Sequence, residues 1–133
     1  MKTTKNKILL PVSPAELIDK ICILELKIKN ISDPEKLKNV KYELEILTGV
    51  FNKNIKKSKK LDHLINDLKK LGAKGWKIED IKRECEFRKD FGTKFINAAR
   101  GAFKNNDNRA VLWKKINIYL KSDIVQEKSY KKY

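Results

Sequence analysis

The sequence predicts an all-α protein, an antiparallel bundle of about five helices with the first three long and coiled-coil-like. Three observations carry that reading. Apolar residues recur at spacings of three and four, no segment shows a convincing run of strand-like alternation, and only three Pro and five Gly punctuate 133 residues.

Residues 1–12 read as a flexible or extended lead-in, and Ser13-Pro14-Ala15-Glu16 then opens the first helix with a capping box and Pro at the first helical position. Leu17, Ile21, Leu24, Ile28 and Ile31 form one seam, while Ile23 and Leu26 project from the other side with Asp19 between them. A helix apolar on two faces belongs between neighbours. Ser32-Asp33-Pro34-Glu35 repeats the opening, with Ser32 or Asp33 as cap, so the link is very short and the second helix should fold back on the first. Leu37, Val40, Leu44, Leu47 and Phe51 give that helix its seam.

Lys53 to Lys60 is a solvated helix end and turn, with Ser58 as the next cap. Leu61, Leu64, Leu68 and Leu71 start a third helix, which Gly72 and Gly75 interrupt and Trp76, Ile78, Ile81 and Cys85 resume. One long helix with room for a bend is preferred over two, although each interior Gly costs about 1 kcal/mol against Ala. Asp90 to Gly92 break it, and Thr93 is expected to cap a short fourth helix bearing Phe95, Ile96, Ala99 and Phe103. Asn105-Asn106-Asp107 should end that helix and cap a fifth, with Val111, Leu112, Ile116, Tyr119 and Leu120 on its apolar face. The expected organisation is a single helical domain over 13–121 and a C-terminal tail over 122–133, anchored by Ile124 and Val125.

Thirty-two basic against seventeen acidic residues give a formal charge of +15, which invites a nucleic-acid reading. Twenty-eight of the basic residues are Lys, however, and only Arg83, Arg88, Arg100 and Arg109 bring the bidentate geometry that reads bases. Much of the charge therefore reflects a Lys-, Asn- and Ile-rich composition. Residues 1–50 carry net +2 and residues 51–133 carry +13, so any polyanion should meet the later part. No run reaches the length of a membrane span and no signal-peptide core is present, so the expected address is cytoplasmic, with no membrane insertion. Cys22 and Cys85 are read as reduced core residues.

No catalytic constellation, metal site or cofactor motif emerges. His63 stands alone, and Asp90-Phe91-Gly92 has the letters of the kinase metal-binding triplet without the Gly-rich or catalytic loops that give it meaning. Asp19 is the polar residue to watch, since a carboxylate in a two-faced apolar helix needs a partner and an inter-helix ion pair is the expected one. Arg100, Asn106, Asp107 and Arg109 form a second cluster, in which capping accounts for Asn106 and Asp107 while the two Arg either hold an anion or pair with Glu79, Asp80 or Glu127.

The segments PVSPAELIDKICILELKIKNISDPEKLKNV, WKIED, DFGTKFI, AAR, NND-R and VQEKSY together resemble a family of small bacterial proteins of unknown function over nearly everything from Pro11 to Tyr130. The resemblance implies a helical accessory protein that accompanies glycosyltransferases of surface-polysaccharide synthesis, and it implies no activity. The matching positions divide into an anion or partner contact, Arg100, Asn106, Asp107, Arg109, Lys128 and Tyr130, and a buried polar network, Asp19, Lys20, Glu25, Glu79, Asp80 and Glu127. Gly75 and Lys82 depart from the pattern, where larger and apolar residues are expected.

Three functions compete. A non-enzymatic interaction protein, acting on a protein partner, a second copy or an anion, fits the two seams and the missing chemistry. A nucleic-acid binder fits the charge and a helix-turn-helix reading of residues 64–85, but Glu79 and Asp80 sit where phosphates should be met. A chorismate-mutase-like isomerase or lyase needs several buried cations, and the first helix offers only Lys20, Lys27 and Lys29.

Overall fold

The computed structural model describes residues 6–133, so residues 1–5 of the expected lead-in lie outside the described residues. Four helices follow in order, α1 Pro14–Asn30, α2 Pro34–Asn54, α3 Lys59–Arg88 and α4 Thr93–Tyr119, and no strand forms among the described residues. The fold is all-α as expected, but with four helices where about five were expected.

α1 is the middle layer. It meets α2 as well as the antiparallel α3–α4 pair. Leu17 and Leu24 on one side, and Ala15, Ile18 and Cys22 on the other, are all 5% exposed or less. The main core joins Ala15, Ile18 and Cys22 to Leu61 and Leu68 of α3 and to Leu112 and Ile116 of α4. α2 packs on α1 alone among the helices and has no fully buried residue, so the first three helices do not share one coiled-coil seam. It is an outer layer.

The caps explain where helices begin. Ser13 Oγ accepts the Glu16 N–H at 3.2 Å, and the Glu16 carboxylate accepts from Gln126 Nε2 at 3.3 Å. Asp33, rather than Ser32, caps α2 through the Glu35 N–H, and Ser58 caps α3 through the Leu61 N–H. Thr93 does not cap α4. Gly92 takes the cap position without a side-chain bond, and Thr93 is the first helical residue.

The expected break at Asn105-Asn106-Asp107 is absent because these side chains bond outside the local backbone. Asn105 is 3% exposed and its Nδ2 donates to the Leu71 carbonyl of α3 at 2.9 Å, while Asn106 Oδ1 accepts from Arg109 Nη1 at 3.3 Å. A polar side chain engaged elsewhere no longer competes for its own helix. The two glycines of α3 are explained from the same contacts. A Cβ on Gly72 would sit 3.2 Å from Leu26 Cδ1, and one on Gly75 would sit 3.0 Å from Asn105 Nδ2, so α3 runs on through both.

α1 is also fastened at its start. Asn117 of α4, with no exposed surface, accepts the Ala15 N–H at 2.9 Å and donates to Gln126 Oε1 at 2.9 Å, and that same oxygen accepts from Ser13 Oγ at 3.0 Å. The segment after α4 is thus pinned over the beginning of α1.

Gly49 of α2 has nothing within 4 Å of an added Cβ, whereas Gly75 has the engaged Asn105 amide. Gly49→Ala should therefore raise stability by roughly 0.5–1 kcal/mol through helix propensity. Gly75→Ala should lower it by about 1–3 kcal/mol through loss of the buried amide bond. Thermal melts followed by circular dichroism separate the two; a Gly75→Ala protein as stable as Gly49→Ala would contradict the close-approach account.

Candidate functional site

Asp19 of α1 and Arg109 of α4 form the centre of the site. Asp19 is 5% exposed, and Arg109 Nη2 donates to its Oδ2 in a short ion pair that crosses between the two helices. Arg109 Nη1 reaches Asn106, and Arg109 Nε is buried without a hydrogen-bond partner among the described residues. Burial pushes the Asp19 carboxyl above its ordinary value; the Arg109 guanidinium, then a bond from Trp113 and the charge of Lys20, pull the other way. Desolvation prevails.

Arg109 and Asn106 stand on a ridge between two open grooves. The larger, about 560 Å³, lies between α1, α3 and α4, with Leu26 and Trp76 as apolar wall and Glu79, Asp80, Arg83 and Asn105 as polar lining. The other, about 430 Å³, is enclosed by α1, α4 and the following segment through Asp19, Trp113, Gln126, Glu127 and Lys128. A hollow of about 410 Å³ adjoins it, where Tyr133 Oη donates to Asp107 at 2.9 Å and the Tyr133 ring lies tilted against Phe103 with centroids 5.0 Å apart.

The structure brings many of the sequence-predicted residues to this surface. Asp19, Asn106, Arg109, Glu79, Asp80, Glu127 and Lys128 line the two grooves, and Asp107 and Tyr130 line the hollow. Pairings differ from those expected. Arg109 takes Asp19 rather than Glu79, Asp80 or Glu127; Glu79 holds Lys82 and Arg83 on its own helix, and Glu127 holds Lys114. Lys82 thus has a polar role where an apolar residue was expected.

Three residues stay outside. Arg100 is exposed and lines neither groove, Lys20 is exposed, and Glu25 pairs with Lys69 at 3.2 Å beside a different groove between α1, α2 and α3. The sequence marked Asn105 only as an expected helix end and did not single out Asn117 or Gln126. The signal available for Asn117 was an Asn on the apolar stripe one residue after Ile116.

Cys22 is buried and its thiol is pushed up to about 12, first by burial and then by Glu25, so it stays protonated. His63 is exposed on α3, away from both grooves. No group of three or more His, Cys, Asp or Glu is placed to hold a metal ion among the described residues, and no described helix is long and apolar enough to cross a membrane.

A family model described as a family of unknown function (DUF6165) matches residues 8–133. Neither a curated protein nor a solved structure matches the chain.

An acid with a raised folded-state pKa binds its proton more tightly folded than unfolded, so its contribution is favourable at low pH and is lost as pH rises. For Asp19 that window opens near 3.8 and extends upward to the raised value. Urea melts across that range should show the wild type losing stability relative to Asp19→Asn as pH rises. Arg109→Ala should cost roughly 3 kcal/mol at neutral pH by stranding the carboxylate, and Asp19→Asn/Arg109→Ala should recover part of it. A double-variant cost equal to the sum of the two single-variant costs would show that the two residues are not coupled.

Proposed function

The chain belongs to this family of unknown function, and from that premise we propose a non-enzymatic interaction or accessory protein that meets a protein partner through the Arg109 surface. The observation that carries the reading is the convergence of α1, α3, α4 and the following segment on Arg109, with two grooves on either side that are open to solvent and mixed in polarity. Trp76 and Trp113 give such a surface its rigid apolar anchors, and Arg109 between them is held in place by Asp19 before any partner arrives. The resemblance to proteins that accompany surface-polysaccharide glycosyltransferases supports a partner in that synthesis, in the cytoplasm. Cys22, His63 and the carboxylates present no nucleophile–base pair in either groove, which favours binding over turnover.

A second reading retains one specific observation. Lys53, Lys56, Lys57, Lys59 and Lys60 are exposed at one end of the bundle, where the Ser58 Oγ–Tyr119 Oη bond at 2.7 Å draws the turn to the end of α4. That cluster suits the phosphate backbone of a nucleic acid without base reading.

Affinity capture from the native host distinguishes the two. A protein retained by the wild type and lost with Asp80→Lys/Lys128→Glu, at unchanged circular dichroism, is the expected result; no protein that depends on those residues would sink the leading reading. For the second, double-stranded DNA should bind with a log–log salt slope of roughly −4.5 if all five Lys contact phosphates, and a flat response removes it.

A further inference from the structure

We infer that the end of the bundle where α1 begins is a docking surface for an anionic membrane, with Ile8, Leu9 and Leu10 as its apolar tip. The inference is independent of the Arg109 surface, and it assigns the lysines of the nucleic-acid reading to lipid instead.

Four helix ends meet there. The Ala15 N–H on Asn117 joins the start of α1 to the last turn of α4, the Ser58 Oγ–Tyr119 Oη bond joins the start of α3 to it, and Phe51 and Ile55 bring the end of α2 onto the same core. The chain before Ser13 leaves this end as a non-helical segment, Lys7 to Val12. Its apolar side chains are not folded onto the bundle, since Ile8 is 85% exposed, Leu9 92% and Leu10 64%. Three consecutive large apolar residues in water call for a second surface, as scattered ones do not. The segment also lies inside the family match, which begins at residue 8. Ile118 and Ile124, both exposed, add apolar surface at the same end.

Charge selects the occupant. Lys53, Lys56, Lys57, Lys59 and Lys60 are all exposed at this end, Lys7 precedes the apolar tip and Lys121 follows α4. Against them stand Glu16, Asp62 and Asp123, and the Glu16 carboxylate is taken by Gln126. A lysine presents a point charge without the bidentate geometry that reads one particular group, which suits a field of lipid headgroups. The phosphate backbone of a nucleic acid would meet the same lysines but offer Ile8, Leu9 and Leu10 nothing apolar to enter. A partner sheet that adds this segment as a strand fits less well, because Pro11 lacks the N–H that pairing uses. The five residues from Ser13 back to Ile8 span up to about 17 Å, more than the roughly 5–10 Å to which interfacial apolar groups are buried, so the tip reaches below the headgroups while the lysines stay among them. No described helix is long and apolar enough to cross a membrane, and adsorption requires none.

Co-sedimentation of the full chain with phosphatidylcholine vesicles containing about one-third phosphatidylglycerol tests the inference. Binding is expected and should weaken with salt, and vesicles of phosphatidylcholine alone should retain far less. Leu9→Asn/Leu10→Asn should bind roughly tenfold more weakly through lost apolar burial. Lys56→Glu/Lys59→Glu should bind roughly 25-fold more weakly or worse, at about fivefold for each lysine removed. All four positions are exposed, so circular dichroism should be unchanged. A wild type that ignores anionic vesicles, a wild type that binds neutral vesicles equally, or a Leu9→Asn/Leu10→Asn protein that binds like the wild type would each overturn it. Double-stranded DNA retained where anionic vesicles are not would also overturn it and return the lysines to nucleic acid. The Asp80→Lys/Lys128→Glu variant should bind vesicles like the wild type, which separates this outcome from the partner reading above.

Discussion

α1 is buried on two sides, and each polar group it carries inward has to be answered from α4 or from the segment that follows it. Leu17 and Leu24 are buried and apolar and ask for nothing. The side toward α4 carries the free N–H of Ala15 and the carboxylate of Asp19, and Asn117 and Arg109 meet them in turn. These two contacts, about two helical turns apart on α4, fix both the height and the rotation of α1 against the bundle. An apolar interface alone would tolerate a slide by one residue; an N–H and a carboxylate left without partners would not, since each costs several times what a neighbouring methyl contact gains. The remainder of the fold depends on this registration. Leu26 meets Gly72 only if α1 is at that height, and α2 sits wherever α1 carries it.

How much was legible before the structure depends on where each signal is written. Ser13-Pro14, Asp33-Pro34 and Ser58 are local signals, since the residues that cap are adjacent in sequence to the groups they satisfy, and all three helix starts were readable. Asn105-Asn106-Asp107 looked like a local signal of the same kind and was not one. Its meaning depended on Leu71, thirty-four residues away, whose carbonyl draws the Asn105 amide across the helix pair. Gly75 is the other half of that contact. In sequence it looks like a costly defect in α3; in space it is the clearance that lets Asn105 reach the backbone. Thr93 failed for a simpler reason, because Gly92 occupies the cap position one residue earlier.

The site was legible in its membership more than in its wiring. Asp19 stood out because an acid in a two-faced apolar helix requires a cation, but nothing local said whether that cation would be Arg100 or Arg109. Helical phase decides between them. The two are nine residues apart on one continuous helix and therefore project from opposite faces, so phase turns Arg109 toward Asp19 and leaves Arg100 exposed on the far side. A broken α4, as the sequence suggested, would have made that comparison meaningless.

Charge sharpens the difference between the site and the remainder of the surface. Residues 51–78 hold nine basic and two acidic side chains, and residues 101–133 hold eight and three, while residues 79–100 hold six and five. The grooves at Arg109 draw Glu79 and Asp80 from that balanced stretch and Asp19 from the near-neutral first part, so the most basic region lies elsewhere. Long-range attraction toward polyanions and recognition at Arg109 are thus separable in space. The first is a property of many interchangeable Lys and fades with salt. The second rests on an Arg whose partner is buried beside it, where geometry rather than field strength decides what fits.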